Sequence, residues 1–128
     1  MTLSHPESHD LTHAIIGDSI NVHSVLGPGL LESTYDDCLH IALSERPYRV
    51  ERQRRIPIMF RSHVIQDAYK ADLVVNRAVI IEVKAVEKVI AVHKAQLLTY
   101  MKHSGIPVGL LINFNVERLV DGITRLSL

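Results

Sequence analysis

The stretch ADLVVNRAVIIEVK, residues 71–84, decides how the rest of the chain is read. Two short apolar runs rich in β-branched residues, 73–75 and 79–81, flank Asn76-Arg77, and that pattern predicts a tight β-hairpin. The hairpin carries charge that a plain core strand would not. Asp72 opens the first strand, and Glu82 and Lys84 close the second around Val83. Unpaired buried charge is costly, or is neutralised by a shifted pKa, so three charges beside buried strands predict a site. A three-residue connection at 76–78 pairs Val75 with Val79 and, counting outward, sets Asp72 opposite Glu82. Facing Cβ atoms of this kind are about 4.5–5.5 Å apart. Lys84, two residues beyond Glu82, shares their face. Two carboxylates at that spacing repel unless a cation lies between them, and a hard divalent ion suits the place. A two-residue turn would instead send Glu82 to the opposite face, so the expectation stands or falls on register.

The chain has 128 residues, 47% hydrophobic and 22% charged, which fits one globular domain with a real core. Residues 1–9 read as a loose polar tail and 10–128 as the single domain. His5, His9 and His13 recur every four residues, but Pro6 is expected to interrupt a helix there, so they read as a frayed end. Formal net charge is +0, which excludes a global basic footprint. Nucleic-acid binding then needs a local patch, or a groove that a homodimer builds from two copies. Cys38 is the only cysteine, so an internal disulfide framework is excluded and a reducing cytoplasm suits the chain. No apolar run reaches the roughly 18 residues of a membrane span, and the amino terminus has no signal-peptide form; the expected location is cytoplasmic, with no membrane partner.

Apolar periodicity predicts a helix over 10–26, with Asp10 as N-cap, Leu11, Ile15, Val22 and Leu26 inward and Ile16 at the edge. Gly27-Pro28-Gly29 breaks it. A second helix over 30–45 turns Leu31, Tyr35, Leu39 and Ala42 inward with Cys38 beside them, and ends at Arg46-Pro47. A strand over 48–60 follows, with Arg52, Arg54 and Arg55 in its first half, read as a solvated edge with phosphate contact as the minority reading. After a turn at 61–63, residues 64–69 lead into the Asp72 hairpin. A helix over 92–104 puts Ala95, Leu98 and Met101 or Lys102 on successive turns and closes at Gly105 and Pro107. The run VGLLIN, 108–113, reads as a strand covered on both faces, and Asp121-Gly122 turns into a last strand over 123–126. The order is ααβββαββ, an α/β sandwich of three-layer type around a mixed central sheet.

Four motifs lie along this frame: Gly29-x-x-Glu32-x-x-Tyr35, Asp72, Glu82-x-Lys84, and Gln96-x-x-x-Tyr100. Taken singly each has a bland account. Glu32 is a first-turn acid favoured by the helix dipole, and Gln96 and Tyr100 share one face of an amphipathic helix. Together and in this order they resemble the PD-(D/E)XK nuclease superfamily, and within it the GxxExxY proteins; Gln-x-x-x-Tyr also resembles a motif of the RecB-like branch. The resemblance covers about residues 10–126. Ala71 stands where the superfamily's name has proline, which would fix only backbone shape.

The resemblance implies a restriction-endonuclease-like core and a metal-dependent nuclease acting on DNA or RNA. Asp72 and Glu82 would bind Mg²⁺ or Mn²⁺, with the Val83 carbonyl as a further ligand and Glu32 as a third carboxylate, direct or through water. Lys84 would hold or deprotonate the attacking water, Gln96 and Tyr100 would support the site, and Gln53, Arg52 and Arg54 would support it or touch substrate. The alternative is a catalytically silent module of the same fold that binds nucleic acid or a protein partner. Silent members are expected to lose a carboxylate or the lysine, and this chain keeps all of them.

Overall fold

The computed structural model describes residues 6–128, with side chains from His9 onward. In chain order the elements are α1 (Pro6–Leu26), α2 (Glu32–Ser44), β1 (Val50–Phe60), β2 (His63–Val75), β3 (Val79–Lys84), α3 (Ala91–Ser104), β4 (Val108–Asn113), a 3₁₀ turn (Leu119–Gly122) and β5 (Ile123–Ser127). Apart from that turn, this is the expected ααβββαββ order. The strands lie side by side in chain order, β1-β2-β3-β4-β5. Only β3 and β4 run parallel. A parallel pair cannot be joined by a tight turn, and α3 makes the crossover.

Alternation along the central strands sends apolar side chains to both faces, and each face is covered there, while the outer end of the β1–β2 hairpin, with Met59, Phe60, Val64 and Ile65, is exposed. Leu11, Ile15 and Val22 of α1 and Tyr35, Leu39 and Leu43 of α2 pack on Leu73, Ile81, Val83, Leu110 and Ile112. On the other face Leu97 and Met101 of α3 pack on Val74, Ile80 and Leu111. The result is a three-layer α/β sandwich around a mixed sheet. Every residue of β4 is buried, as its unbroken apolar run predicts. Gly109 sets the depth of α3: a Cβ there would lie 2.7 Å from Met101 Sδ and 2.9 Å from Leu97 Cδ1.

Four local expectations are corrected. α1 starts at Pro6 rather than at an Asp10 cap. Proline needs no N–H at the first helical position and has the right φ, so it opens the helix instead of interrupting it. His9 and His13 are exposed on α1, and His5 lies outside the described residues. α2 starts at Glu32, which leaves Leu31 as its N-cap, 74% exposed, and moves the inward stripe to Tyr35, Leu39 and Leu43. On α3 the buried pair is Leu97 and Met101, with Ala95 exposed. Lastly, β2 is one continuous strand of 13 residues. β1 accompanies it along its length, from Phe60↔His63 back to Val50↔Val75. The register shifts between Ile56 and Ile58, where Pro57 has no N–H to give.

Candidate active site

The turn of the β2–β3 hairpin sets the register. Asn76 and Arg77 have φ of +54° and +52°, and the Ala78 N–H donates to Val75 O at 2.9 Å. Positive φ at both central residues marks a type I′ turn, whose twist matches that of the strands, and asparagine tolerates it. Asn76 is also held to the start of β1: its Oδ1 accepts the Arg49 N–H and its own N–H donates to Arg49 O, both at 2.8 Å. Ala78 is the extra residue. It makes the pairs Val75↔Val79, Val74↔Ile80 and Leu73↔Ile81, the expected register.

That ladder stops at Leu73↔Ile81. Beyond it β2 stays with β1, through Ala71↔Arg54, while β3 stays with β4, through Glu82↔Leu111 and Lys84↔Asn113. The sheet therefore forks, and Asp72 and Glu82 are the next residues out on its two prongs. Asp72 Oδ2 accepts the Val83 N–H at 2.8 Å, so a side chain bridges the prongs where the backbone ladder ends. Two further features mark the fork. Ala71 belongs to the core on the α3 side and Leu73 to the core on the α1–α2 side, so β2 loses its alternation at Asp72. Gln53, which the β1–β2 register sets opposite Asp72, has φ +50°. A left-handed backbone is costly for a residue other than glycine and tends to occur at functional sites.

The electrostatics of the fork are unusual. Glu82 is only 6% exposed, and its Oε1 has no hydrogen-bond partner. Burial first, and the neighbouring Asp72 second, push its pKa up to about 9, while the charge of Lys84 pulls it down. Both covering layers reach this place. From α3, the Tyr100 phenol is raised by burial and then by the charges of Glu82 and Asp72. From α2, the buried Asp36 carboxyl is raised by burial and then by Asp72, against the lowering effect of Arg52. Arg52 Nη2 lies 3.3 Å from Asp36 Oδ1 and 2.6 Å from Asp37 Oδ1. Behind Lys84, the buried Asn113 side chain clamps the crossover loop: its Oδ1 accepts the Val86 N–H at 3.0 Å and its Nδ2 donates to Val86 O at 2.9 Å.

The other expected site residues divide. Glu32 is exposed in the first turn of α2, one helical turn before Asp36 and on the same face. Among the described residues no three His, Cys, Asp or Glu side chains surround one point as a metal group would. The expected arginines face acids: Arg52 the α2 pair, Arg54 its neighbour Glu51 at 3.7 Å, and Arg55 the exposed Asp67 at 3.2 Å. Gln96 and Tyr100 line one open groove of about 320 Å³. Asp36 and Asn113 escaped the sequence reading. Asp36 follows Tyr35 directly and repeats Glu32 at helical spacing; Asn113 is the polar end of an otherwise apolar strand.

A family model described as PD-(D/E)XK nuclease superfamily matches residues 9–126. No curated protein and no solved structure matches the chain. Among the described residues no helix is long and apolar enough to cross a membrane. The match runs from α1 to β5 and takes in the forked sheet with its Asp72 and Glu82-x-Lys84, and on that basis the chain belongs to the PD-(D/E)XK nuclease superfamily.

Proposed function

We propose that the protein is a divalent-metal-dependent nuclease that hydrolyses phosphodiester bonds, in the GxxExxY branch of its superfamily on the strength of Gly29, Glu32 and Tyr35. One observation carries the reading: a buried carboxylate oxygen of Glu82 has no partner, beside a second carboxylate. Such an orphan bears its full desolvation cost unless a proton or a cation fills the place. The donors are hard oxygens, and Mg²⁺ or Mn²⁺ needs only one or two protein carboxylates because it keeps its waters. Asp72 and Glu82 would hold the ion, with the Val83 carbonyl as a further ligand and Glu32 acting through water from the rim. A divalent ion there supplies Lewis acidity toward the phosphate and the attacking water.

The protein groups do the rest. Lys84 shares the face of Glu82 and makes no ion pair among the described residues. Its amino group is available to orient the attacking water, take up its proton and offset charge on the phosphate. Asn113 fixes the backbone beyond Lys84. Tyr100 lies beside the fork on α3, with Gln96 one turn before it in the same groove, and this phenol and amide would brace the substrate. The test is incubation with single-stranded, duplex and branched DNA and RNA, with and without Mn²⁺, beside an Asp72→Ala control. Metal-dependent cleavage that the control lacks is the expected result. A folded wild type that cuts none of these substrates would leave the silent binding module as the better account.

A further inference from the structure

Tyr69 and Tyr100 come from different layers and meet beside the fork. Tyr69 is on β2, three residues before Asp72, which places it roughly 10 Å along the strand from that carboxylate. Its ring lies 4.0 Å, centroid to centroid, from that of Tyr100 on α3, at an interplanar angle of 34°. The Tyr69 hydroxyl donates to Thr99 O at 3.3 Å, and burial pushes its pKa up to about 12, so the ring is neutral and held. The groove over this pair has Ala68, Val92 and Ala95 as small walls and the exposed Gln96 amide at its side. Its Tyr100 wall lies close enough to the fork for the charges of Glu82 and Asp72 to act on the phenol.

We infer that this groove stacks an unpaired base next to the scissile phosphate, so that the substrate is a single-stranded segment of nucleic acid. The inference rests on the nuclease reading for its geometry. A base inside a duplex is already stacked on its neighbours and cannot enter a groove of this kind, whereas a single strand offers free π-faces. The charge pattern points the same way. Tight duplex binding draws on many unpaired cations along the backbone. Here net charge is +0 and Arg52, Arg54 and Arg55 each face an acid. Stacking on aromatic rings is the contribution that single-strand binders add to electrostatics, and it tolerates any base. The Gln96 amide, with donors and an acceptor, suits the edge of the stacked base.

Fluorescence anisotropy in EDTA, where metal-dependent cleavage cannot interfere, tests this. The probes are a short fluorescein-labelled oligothymidylate, an oligouridylate and a DNA duplex of the same length. Both single strands should bind tighter than the duplex. Tyr69→Leu should weaken single-strand binding by at least about fivefold, the low end for one lost base–aromatic stack, and leave duplex binding unchanged. Tyr69→Phe should bind as wild type. If melting shows that Tyr69→Leu is unfolded, Ala95→Leu replaces it, since that exposed position fills the groove without entering the core. Wild-type affinity in either folded variant, or no preference of the wild type for single strands, overturns the inference. The two readings fail separately. Metal-dependent cleavage without single-strand preference keeps the nuclease and loses the stacking groove. Tyr69-dependent single-strand binding without cleavage does the reverse.

Discussion

Tyr35 on α2 and Tyr100 on α3 each end a short motif, and the sheet between them treats them differently. Tyr35 is fully buried and stacked on Phe114 with ring centroids 4.6 Å apart. Its hydroxyl donates to Gly27 O at 2.6 Å and accepts the Leu30 N–H at 3.1 Å, so it closes the glycine-rich link between α1 and α2. Tyr100 is half-buried, open to the groove, and within reach of the Asp72 and Glu82 charges. One tyrosine holds the fold together and the other faces the acidic fork. Motif spacing does not distinguish them; burial and hydrogen-bond partners do.

The largest expected effect tests that contrast directly. Tyr35→Ala should cost about 3–5 kcal/mol in urea unfolding, the usual range for deleting a buried aromatic, because it empties the α1–α2 core and frees the loop. Tyr100→Ala should cost well under half of that and reduce nuclease activity instead. Equal destabilisation by the two changes would erase the distinction between a structural layer and a functional one.

Next in size is Lys84, where the functional side should respond without a structural change. Lys84→Ala should lower metal-dependent cleavage by about 10²-fold or more, the scale for losing a positioned proton-transfer or charge-stabilising group. The rise in melting temperature with Mn²⁺ should remain, since the carboxylates are intact. Lys84→Arg keeps the charge but does not readily give up a proton, and should lose cleavage as well. Cleavage at the wild-type level by Lys84→Ala, with contamination excluded by Asp72→Ala, would remove this lysine from the mechanism.

A third effect comes from Glu82 and depends on pH. Its folded pKa of about 9 lies above the ordinary value of 4.5, so between those limits the folded state holds a proton that the unfolded state has released. The contribution of Glu82 to the stability of the metal-free protein is therefore greatest below about 4.5 and falls as pH rises toward 9, by up to about 1.4 kcal/mol per pH unit. Glu82→Gln should flatten that slope. Mg²⁺ or Mn²⁺ binds the ionised form, so the metal-induced rise in melting temperature should grow with pH. A slope in Glu82→Gln equal to that of the wild type would show that Glu82 is not the group that holds the proton.

The hairpin register was legible in the sequence because its determinants are local; the parting of the strands beyond Leu73 and Ile81, where a paired Asp72 and Glu82 are expected, was not. Strand periodicity of two, Asn76-Arg77 and the extra residue Ala78 are enough to set the pairs from Val75↔Val79 to Leu73↔Ile81. The helical layers were less legible because their facing depends on distant residues. Pro6 reads as a breaker until the helix is seen to begin there. The α3 stripe falls on Leu97 and Met101 because Gly109, on another strand, leaves room for them, and helical periodicity alone cannot see that. The same reason hid Asp36, whose burial depends on how α2 docks beside Arg52 and β2.

The smallest expected effect decides which acid α2 offers to the fork. Glu32 and Asp36 lie one turn apart on the same face, the first exposed and the second buried. The buried acid already has partners: Arg52 binds it, and the charge of Asp72 disfavours its ionised form. A ligand acting through water must remain open to water, as Glu32 is. Glu32→Gln should therefore leave the melting curve unchanged and lower cleavage by no more than about tenfold, with a higher Mn²⁺ requirement. The cost of losing one water-mediated contact is small because the two carboxylates on the fork remain. Asp36→Asn should act through Arg52, lowering stability while the Mn²⁺ requirement stays as in the wild type. If Glu32→Gln matches the wild type in both rate and Mn²⁺ requirement while Asp36→Asn raises that requirement, the α2 contribution belongs to Asp36. The motif glutamate is then only a helix-start residue favoured by the dipole.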